Sequence, residues 1–241
     1  MKDQNFGIEI ELTGITRDTA AQIMADHFGT GRANYAGGTY DEYFALDGQG
    51  RKWKAVSDSS IVKVDKSGAS TNDRAYSCEV VSPICQYADI ETIQEIVRLL
   101  RAKGARANAS CGIHVHVDAA PHTAQSLRNL ANIFASREDM LVAALGIEAA
   151  RMHYCQKADT GFMNRMNARK PASRDQLQTI WYNGRDESYM HYSQTRYRML
   201  NLHAVFSHGT VEFRCFNGST HAGEIKAYIQ FCLAVSHQAL T

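Results

Sequence analysis

Three separate segments of the chain alternate apolar residues with side chains that can bind metal ions or phosphate groups. Successive side chains of a β-strand point to opposite faces, so the polar residues of each segment share one face. The polar members are Glu9 and Glu11 in residues 6–13, His114 and His116 in residues 111–118, and Glu212 and Arg214 in residues 210–216. Glu79 forms a fourth, weaker case between Cys78 and Val80. If these strands share one sheet, its polar face suits divalent metal ions and an anionic ligand.

Each of these segments also has an ordinary structural interpretation. Charged residues often alternate with apolar ones on the exposed face of an antiparallel sheet. Glu212 and Arg214 would equally suit a cross-strand ladder of ion pairs. His114 and His116 are more informative, because two imidazoles at positions i and i+2 of a strand point the same way. Four such segments in one chain favour a shared site over surface decoration.

Two kinds of metal chemistry are compatible with this set of side chains. The His-x-His pair supplies two neutral nitrogen ligands, as a zinc or iron hydrolase would need. Several carboxylates with a histidine and a nearby arginine instead suit Mg²⁺ and a triphosphate. The sequence contains neither a Walker A motif nor a GxGxxG motif. A nucleotide would therefore be held by metal and arginine rather than by a phosphate loop.

The strands that carry these residues are predicted to alternate with amphipathic helices. Hydrophobic spacing predicts strands at 6–13, 42–46, 52–57, 76–82, 111–118, 196–206 and 210–216. It predicts helices at 17–28, from about 90 to Gly104, at 123–135, in part of 140–150, and at 223–238. The Gly- and Tyr-rich residues 30–40 are predicted to be a loop, Ser207-His208-Gly209 a turn, and Trp181 part of a loop. The fold class predicted is α+β.

Composition places the protein among ordinary globular domains. The 241 residues include 26 Lys and Arg and 25 Asp and Glu, so the net charge of +1 gives no general attraction for nucleic acid or an anionic membrane. The six cysteines are scattered without a CxxC pair, which favours a reducing compartment. The sequence shows no signal-peptide pattern and no apolar stretch of membrane-spanning length. We expect a cytoplasmic protein with no nucleic-acid or membrane partner, and predict no particular oligomeric state.

Several short motifs together resemble the putative amidoligase family, which belongs to the glutamine synthetase and glutamate–cysteine ligase superfamily. In order along the chain they are FGIEIEL at 6–12, CEVVSP at 78–83, CGIHVH at 111–116, RYRMLNL at 196–202 and GTVEFR at 209–214. The resemblance spans nearly the whole chain as a single catalytic domain, 1–241. Residues 137–190 match no motif and are expected to be a variable insertion that differs with substrate.

The resemblance implies a fold and a set of residue roles. The fold would be a curved, mainly antiparallel sheet, like the catalytic domain of glutamine synthetase, with helices on its convex face and Mg-ATP on its concave face. Glu11 and Glu79 would bind one Mg²⁺ (or Mn²⁺), and Glu9, His114 and Glu212 a second. His116 and Asn201 would lie near the nucleotide, Arg214 with Arg196 or Arg198 would neutralise the transferred phosphoryl group, and Asp58 and Ser60 would lie near the substrate.

The function implied is an ATP- and Mg²⁺-dependent ligase that joins a carboxylate to an amine through an acyl phosphate. The acid would be a small molecule or a peptide. Two alternatives stay open from the residues alone. One is a metal-dependent hydrolase that uses His114 and His116, and the other is a non-catalytic nucleotide-binding protein of the same fold.

Overall fold

The computed structural model describes residues 1–241 as an α+β fold with eight α-helices and an open antiparallel sheet of eight strands. The strands are β1 (Phe6–Leu12), β2 (Asn34–Gly37), β3 (Glu42–Leu46), β4 (Lys52–Val56), β5 (Cys78–Val81), β6 (Gly112–Asp118), β7 (Leu200–Asn201) and β8 (Thr210–Asn217). Their order in the sheet is β2-β3-β4-β5-β1-β6-β8-β7. The predicted α+β class is confirmed.

Eight α-helices accompany the strands. They are α1 (Arg17–Phe28), α2 (Ile90–Ala102), α3 (Ala124–Ala135), α4 (Glu138–Leu145), α5 (Thr160–Arg169), α6 (Arg174–Trp181), α7 (His203–Ser207) and α8 (Ala222–Leu240). None of them has the length and apolar character that a membrane span requires.

One compact unit contains residues 7–113 and 217–229. Its first strand buries Ile8, Ile10 and Leu12, as their alternation predicts. Helix α1 ends at Gly29, whose φ of +66° is the left-handed conformation that glycine adopts without strain. Strand β1 pairs with β5, and the register sets Glu11 directly opposite Glu79. This pairing brings two of the predicted metal ligands together within one unit.

The other compact unit contains residues 1–6, 114–216 and 230–241. Phe213 of β8 is fully buried and meets Phe134 of α3 edge to face, with ring centroids 5.6 Å apart. Strand β7 pairs with β8 so that Leu200 lies opposite Phe213 and Asn201 opposite Glu212. Because side chains alternate along a strand, Phe213 and Leu200 face the helices, whereas Glu212 and Asn201 face the other way.

Two predictions, the loop at residues 30–40 and the strand at residues 196–206, are wrong. Residues 30–40 are not all loop, because Asn34–Gly37 forms β2, in which Tyr35 pairs with Tyr43. The predicted strand 196–206 keeps only the two residues of β7, and α7 replaces its end and runs into the predicted turn. The Asn201 carboxamide oxygen accepts a hydrogen bond from the His203 backbone N–H at 2.8 Å. That bond stabilises the start of a helix at His203. A short apolar run in the sequence is compatible with either a helix or a strand, so the sequence pattern alone did not indicate this helix.

The region 137–190 is more helical than predicted. It contains α4, α5 and α6, and Trp181 is the last residue of α6 rather than part of a loop. Asp159 and Ser173 accept backbone hydrogen bonds at the starts of α5 and α6, from Phe162 and Gln176. Asp159 and Ser173 are residue types that often begin helices, but the apolar stripes of α5 and α6 are too short to predict these helices from the sequence. The single domain with an insertion here stays a prediction.

Candidate active site

A pair of carboxylates lies on neighbouring strands β1 and β5. Glu11 is buried, and its Oε2 accepts a hydrogen bond of 2.6 Å from the Gly112 backbone N–H. Glu79, directly opposite on β5, is half-buried. Like charges at directly opposed positions of an antiparallel pair destabilise it. A cation bound between these two carboxylates would remove that repulsion.

A second cluster is centred on the buried carboxylate of Glu212, which is 3% exposed. Its Oε1 lies 3.7 Å from Nδ1 of His114 and 3.8 Å from Nε2 of His116. The same oxygen accepts a hydrogen bond from Nη1 of Arg214, two residues along β8. Nδ1 of His116 also lies 3.0 Å from the Thr210 hydroxyl oxygen. Because β6 and β8 are neighbours in the sheet, alternation along each strand gathers two imidazoles, a carboxylate and a guanidinium on one face.

Asn201 orients the other oxygen of Glu212. Its Nδ2 donates a 2.7 Å hydrogen bond to Glu212 Oε2. Its side-chain oxygen Oδ1 accepts the hydrogen bond from the His203 backbone N–H at the start of α7. The Tyr182 hydroxyl lies 2.6 Å from Nδ1 of His203, and both residues are buried. Burial lowers the pKa of His203, which favours the neutral ring. A chain of contacts thus runs from the end of α6 to Glu212.

Arg214 is held from its other side by the segment that follows α4. Its Nε donates to the Tyr154 carbonyl oxygen at 3.5 Å. The buried Arg151 donates from Nη2 to the backbone oxygen of Arg214 at 3.1 Å. Sequence reasoning did not single out Arg151, Tyr154 or Tyr182. All three lie in the region without a recognisable motif, and no spacing rule connects them to β8.

The predicted metal ligands are divided between the two compact units. Glu9, Glu11 and Glu79 lie in the unit that contains residues 7–113, and His114 and Glu212 lie in the unit that contains residues 114–216. Carboxylate oxygens with a single imidazole suit Mg²⁺ or Mn²⁺ more than the nitrogen- and sulfur-rich sets typical of structural zinc.

Comparison with protein families decides which family these strands belong to. A family model described as putative amidoligase enzyme matches residues 2–236, nearly the whole chain. The chain belongs to this family. Its membership indicates an enzyme that forms amide bonds, and the resemblance inferred from the five motifs is confirmed. A search of curated proteins gave no significant match.

The remaining predicted residues of this amidoligase family member lie outside these two clusters of contacts. Arg196 donates from Nη1 to the His191 carbonyl oxygen at 2.7 Å. Arg198 donates from Nη1 to the Lys157 carbonyl oxygen at 3.0 Å. Asp58 Oδ1 accepts a 2.6 Å hydrogen bond from the Ser60 backbone N–H, which closes a tight turn after β4. The catalytic roles of the two arginines and the substrate roles of Asp58 and Ser60 stay predictions.

Proposed function

We propose that this protein is an ATP- and Mg²⁺-dependent ligase that joins a carboxylate to an amine through an acyl phosphate. The acid is a small molecule or a peptide. One observation supports the proposal beyond family membership: His114, His116 and Arg214 surround the buried carboxylate of Glu212. Acidic ligands and an arginine together are what a triphosphate site without a phosphate loop requires.

The donor set fits divalent metal ions. Glu11 and Glu79 would hold one ion, and Glu9, His114 and Glu212 the other. Buried carboxylates are costly unless paired with positive charge, and the side chains of Glu11 and Glu212 are each only 3% exposed. Bound metal supplies charge neutralisation on phosphate oxygens. Mn²⁺ would also suit the carboxylates of Glu9 and Glu212.

Arg214 and His116 are the residues proposed to act on the nucleotide. The guanidinium of Arg214 contacts Glu212 Oε1, the oxygen that also lies near the two imidazoles, so its positive charge is next to a proposed metal ligand. A planar guanidinium meets two phosphate oxygens at once, which a lysine cannot do. His116 is more exposed than His114 and lies at the outer side of the cluster, where a nucleotide would enter.

The reaction has two steps, and the protein contributes mainly position and charge. In the first, an oxygen of the substrate carboxylate bonds to the γ-phosphorus of ATP as the bond to ADP breaks. In the second, the amine nitrogen bonds to the acyl carbon, phosphate leaves with the electron pair, and the amine loses a proton to solvent. Phosphoryl transfer depends on alignment and electrostatic stabilisation, both of which the Glu212–Arg214 arrangement supplies.

The proposal is tested by ADP release with a panel of acids and amines, with and without a chelator. ADP should form only when metal, ATP and an acid are present, and hydroxylamine in place of the amine should trap the acyl phosphate as a hydroxamate. Calorimetric titration of ATP should show little binding in chelator. Tight stoichiometric zinc without ADP release would support a hydrolase instead, and ATP binding without ADP release would support a non-catalytic protein.

A further inference from the structure

A cavity of about 220 Å³ lies among α3, α5, α6 and β7, entirely within the compact unit that contains residues 114–216. Three aromatic rings contribute to its wall, those of Phe134, Phe162 and Trp181. The rings of Phe162 and Trp181 meet edge to face, with centroids 4.7 Å apart. An apolar cavity of about 150 Å³ holds a benzene molecule. The volume here therefore suits a benzene ring with a short substituent.

The cavity wall also contains a buried carboxylate with unused acceptor capacity. Glu138, in the first turn of α4, is only 5% exposed. Its two oxygens share one hydrogen-bond donor, the Ala158 backbone N–H, at 3.0 Å. Because an ionised carboxylate has about four acceptor positions, the protein leaves most of them unused. Ala158 also lines the cavity, so the carboxylate of Glu138 lies at its wall.

No cation of the protein forms an ion pair with Glu138. Burial raises its pKa, and the charges of Lys157 and Arg198 offset this only in part. Lys157 pairs instead with Asp139. Arg198 donates from Nη1 to the Gln156 side chain and to the Lys157 carbonyl oxygen. The protein therefore compensates the charge of the Glu138 carboxylate incompletely.

The charged residues of the wall favour a cation over an anion. Glu138 and Asp159 carry carboxylates, and Arg198 is the one basic residue that lines the cavity. When both carboxylates are ionised, one negative charge is in excess. A monovalent cation removes this excess, whereas an anion adds to it. An ammonium group also supplies the N–H donors that the acceptor positions of Glu138 lack.

The cavity is separate from the proposed active site. Leu200 lines the cavity, whereas the adjacent Asn201 binds Glu212. Phe134 of the wall packs on Phe213, which points to the opposite face of β8 from Glu212. The cavity and the Glu212 cluster therefore lie on opposite faces of β7 and β8.

We propose that this cavity is a second binding site, for a small organic ammonium ion with an apolar body. The ammonium group donates hydrogen bonds to the carboxylate of Glu138, and the apolar body packs against the three aromatic rings. Benzylamine, which is positively charged at neutral pH, is a probe with both features. The inference is independent of the proposed ligase activity, because it involves neither ATP nor metal.

The test is calorimetric titration of benzylamine into the full chain at neutral pH, in a chelator and without ATP. Wild-type protein should show saturable binding of one molecule. Ala131→Leu fills the cavity from α3 and should weaken binding about tenfold or more, because a filled cavity resists added volume. Ala143→Leu adds the same side chain to the exposed face of α4 and should leave binding unchanged. Ala135→Leu is the second cavity-filling variant if Ala131→Leu does not fold, with circular dichroism as the check.

Two further measurements test whether the site recognises charge. Glu138→Gln keeps the shape of the side chain and removes its charge, so it should weaken benzylamine binding about 10- to 100-fold, as expected for a hydrogen bond between charged groups. Asp175→Asn removes an exposed carboxylate of α6 outside the cavity and should leave binding unchanged. Benzyl alcohol has the same ring without the charge, so it should bind wild-type protein about tenfold more weakly than benzylamine.

The proposal is overturned by any of three results. They are absence of saturable benzylamine binding, equal binding of benzylamine and benzyl alcohol, and wild-type affinity in the folded Ala131→Leu or Glu138→Gln variant. Wild-type affinity in both variants would mean that the cation binds elsewhere, such as at the carboxylates of β1 and β5. None of these results would bear on the ligase reaction, which ADP release measures.

Discussion

Two buried glutamates of the same compact unit, Glu212 and Glu138, have nearly the same exposure and opposite surroundings. They are 3% and 5% exposed. Glu212 faces Arg214, Asn201 and two imidazoles, all of which favour a charged carboxylate. Glu138 has only the Ala158 backbone N–H as hydrogen-bond donor, and burial raises its pKa. Burial alone therefore does not decide whether a glutamate is charged; the groups around its carboxylate do.

The same contrast holds for the imidazoles. His114 and His116 lie within 4 Å of a carboxylate oxygen of Glu212. His122, on the helix side, is buried between the hydroxyls of Ser126 and Ser236, at 3.1 and 2.9 Å. Burial and the nearby Arg174 lower the pKa of His122 to about 4. His114 and His116 therefore lie next to a carboxylate, whereas the surroundings of His122 favour its neutral form.

The largest expected effect follows from removing the charge of Glu212. Glu212→Gln keeps the shape of the side chain but loses a proposed metal ligand, so kcat should fall by about 10³-fold or more, or about 4 kcal/mol. Glu138→Gln is the matched control, since it changes an equally buried glutamate outside the cluster, and it should change kcat less than about threefold. The measurement is metal-dependent ADP release. Equal losses in the two variants would remove the distinction between the two glutamates.

Arg214→Lys should have the next largest effect. It keeps the positive charge but loses the planar guanidinium, and losing one such transition-state contact typically costs about 10²–10³ in rate. The affinity for ATP should change far less than kcat, and hydroxamate formation should fall in parallel. Arg196→Lys and Arg198→Lys are the comparison variants. A wild-type rate of hydroxamate formation in Arg214→Lys would exclude Arg214 from phosphoryl transfer.

His122 predicts a pH dependence of stability rather than of rate. The unfolded state binds a proton near pH 6.5, but the folded state does so only near pH 4. The free energy of unfolding should therefore fall by up to about 3 kcal/mol as pH decreases from 6.5 to 4, and this contribution should be fully present above that range. Urea unfolding at several pH values measures it. His122→Gln should lose much of this slope, whereas a substitution of the exposed His153 to Gln should retain it.

The smallest effect is expected from Asn201, which acts through Glu212. Asn201→Ser loses the 2.7 Å hydrogen bond to Glu212 Oε2 but retains a hydroxyl that can cap α7. Losing a group that orients a metal ligand typically costs about 10–100-fold in metal affinity or activity, and we expect the lower end. The Mg²⁺ concentration that gives half-maximal ADP release should rise about tenfold. The exposed Asn167→Ser is the control, and an equal shift there would contradict a positioning role.

Alternation along single strands made much of the site predictable. Glu9, Glu11, His114 and Glu212 could be assigned to polar faces because each strand is flanked by apolar residues at a period of two. The order of short motifs then indicated the family that the whole-chain match confirms. The edge of the sheet was less predictable. In β7 only two residues pair, and a hydrogen bond from a side chain, rather than propensity, decides where the strand ends and α7 begins.

The sequence by itself determined the α+β class, the polar faces of β1, β6 and β8, and the amidoligase family, because these depend on local periodicity and short motifs. Only the tertiary structure decided what supports those residues. Asn201 and Arg151 contact Glu212 and Arg214 across 11 and 63 positions of the chain. The tertiary structure also decided that Glu138 and Trp181 line a cavity on the face of β7 and β8 opposite to Glu212. Such contacts join distant segments that no spacing rule relates, so they arise from packing and from the need to satisfy buried polar groups.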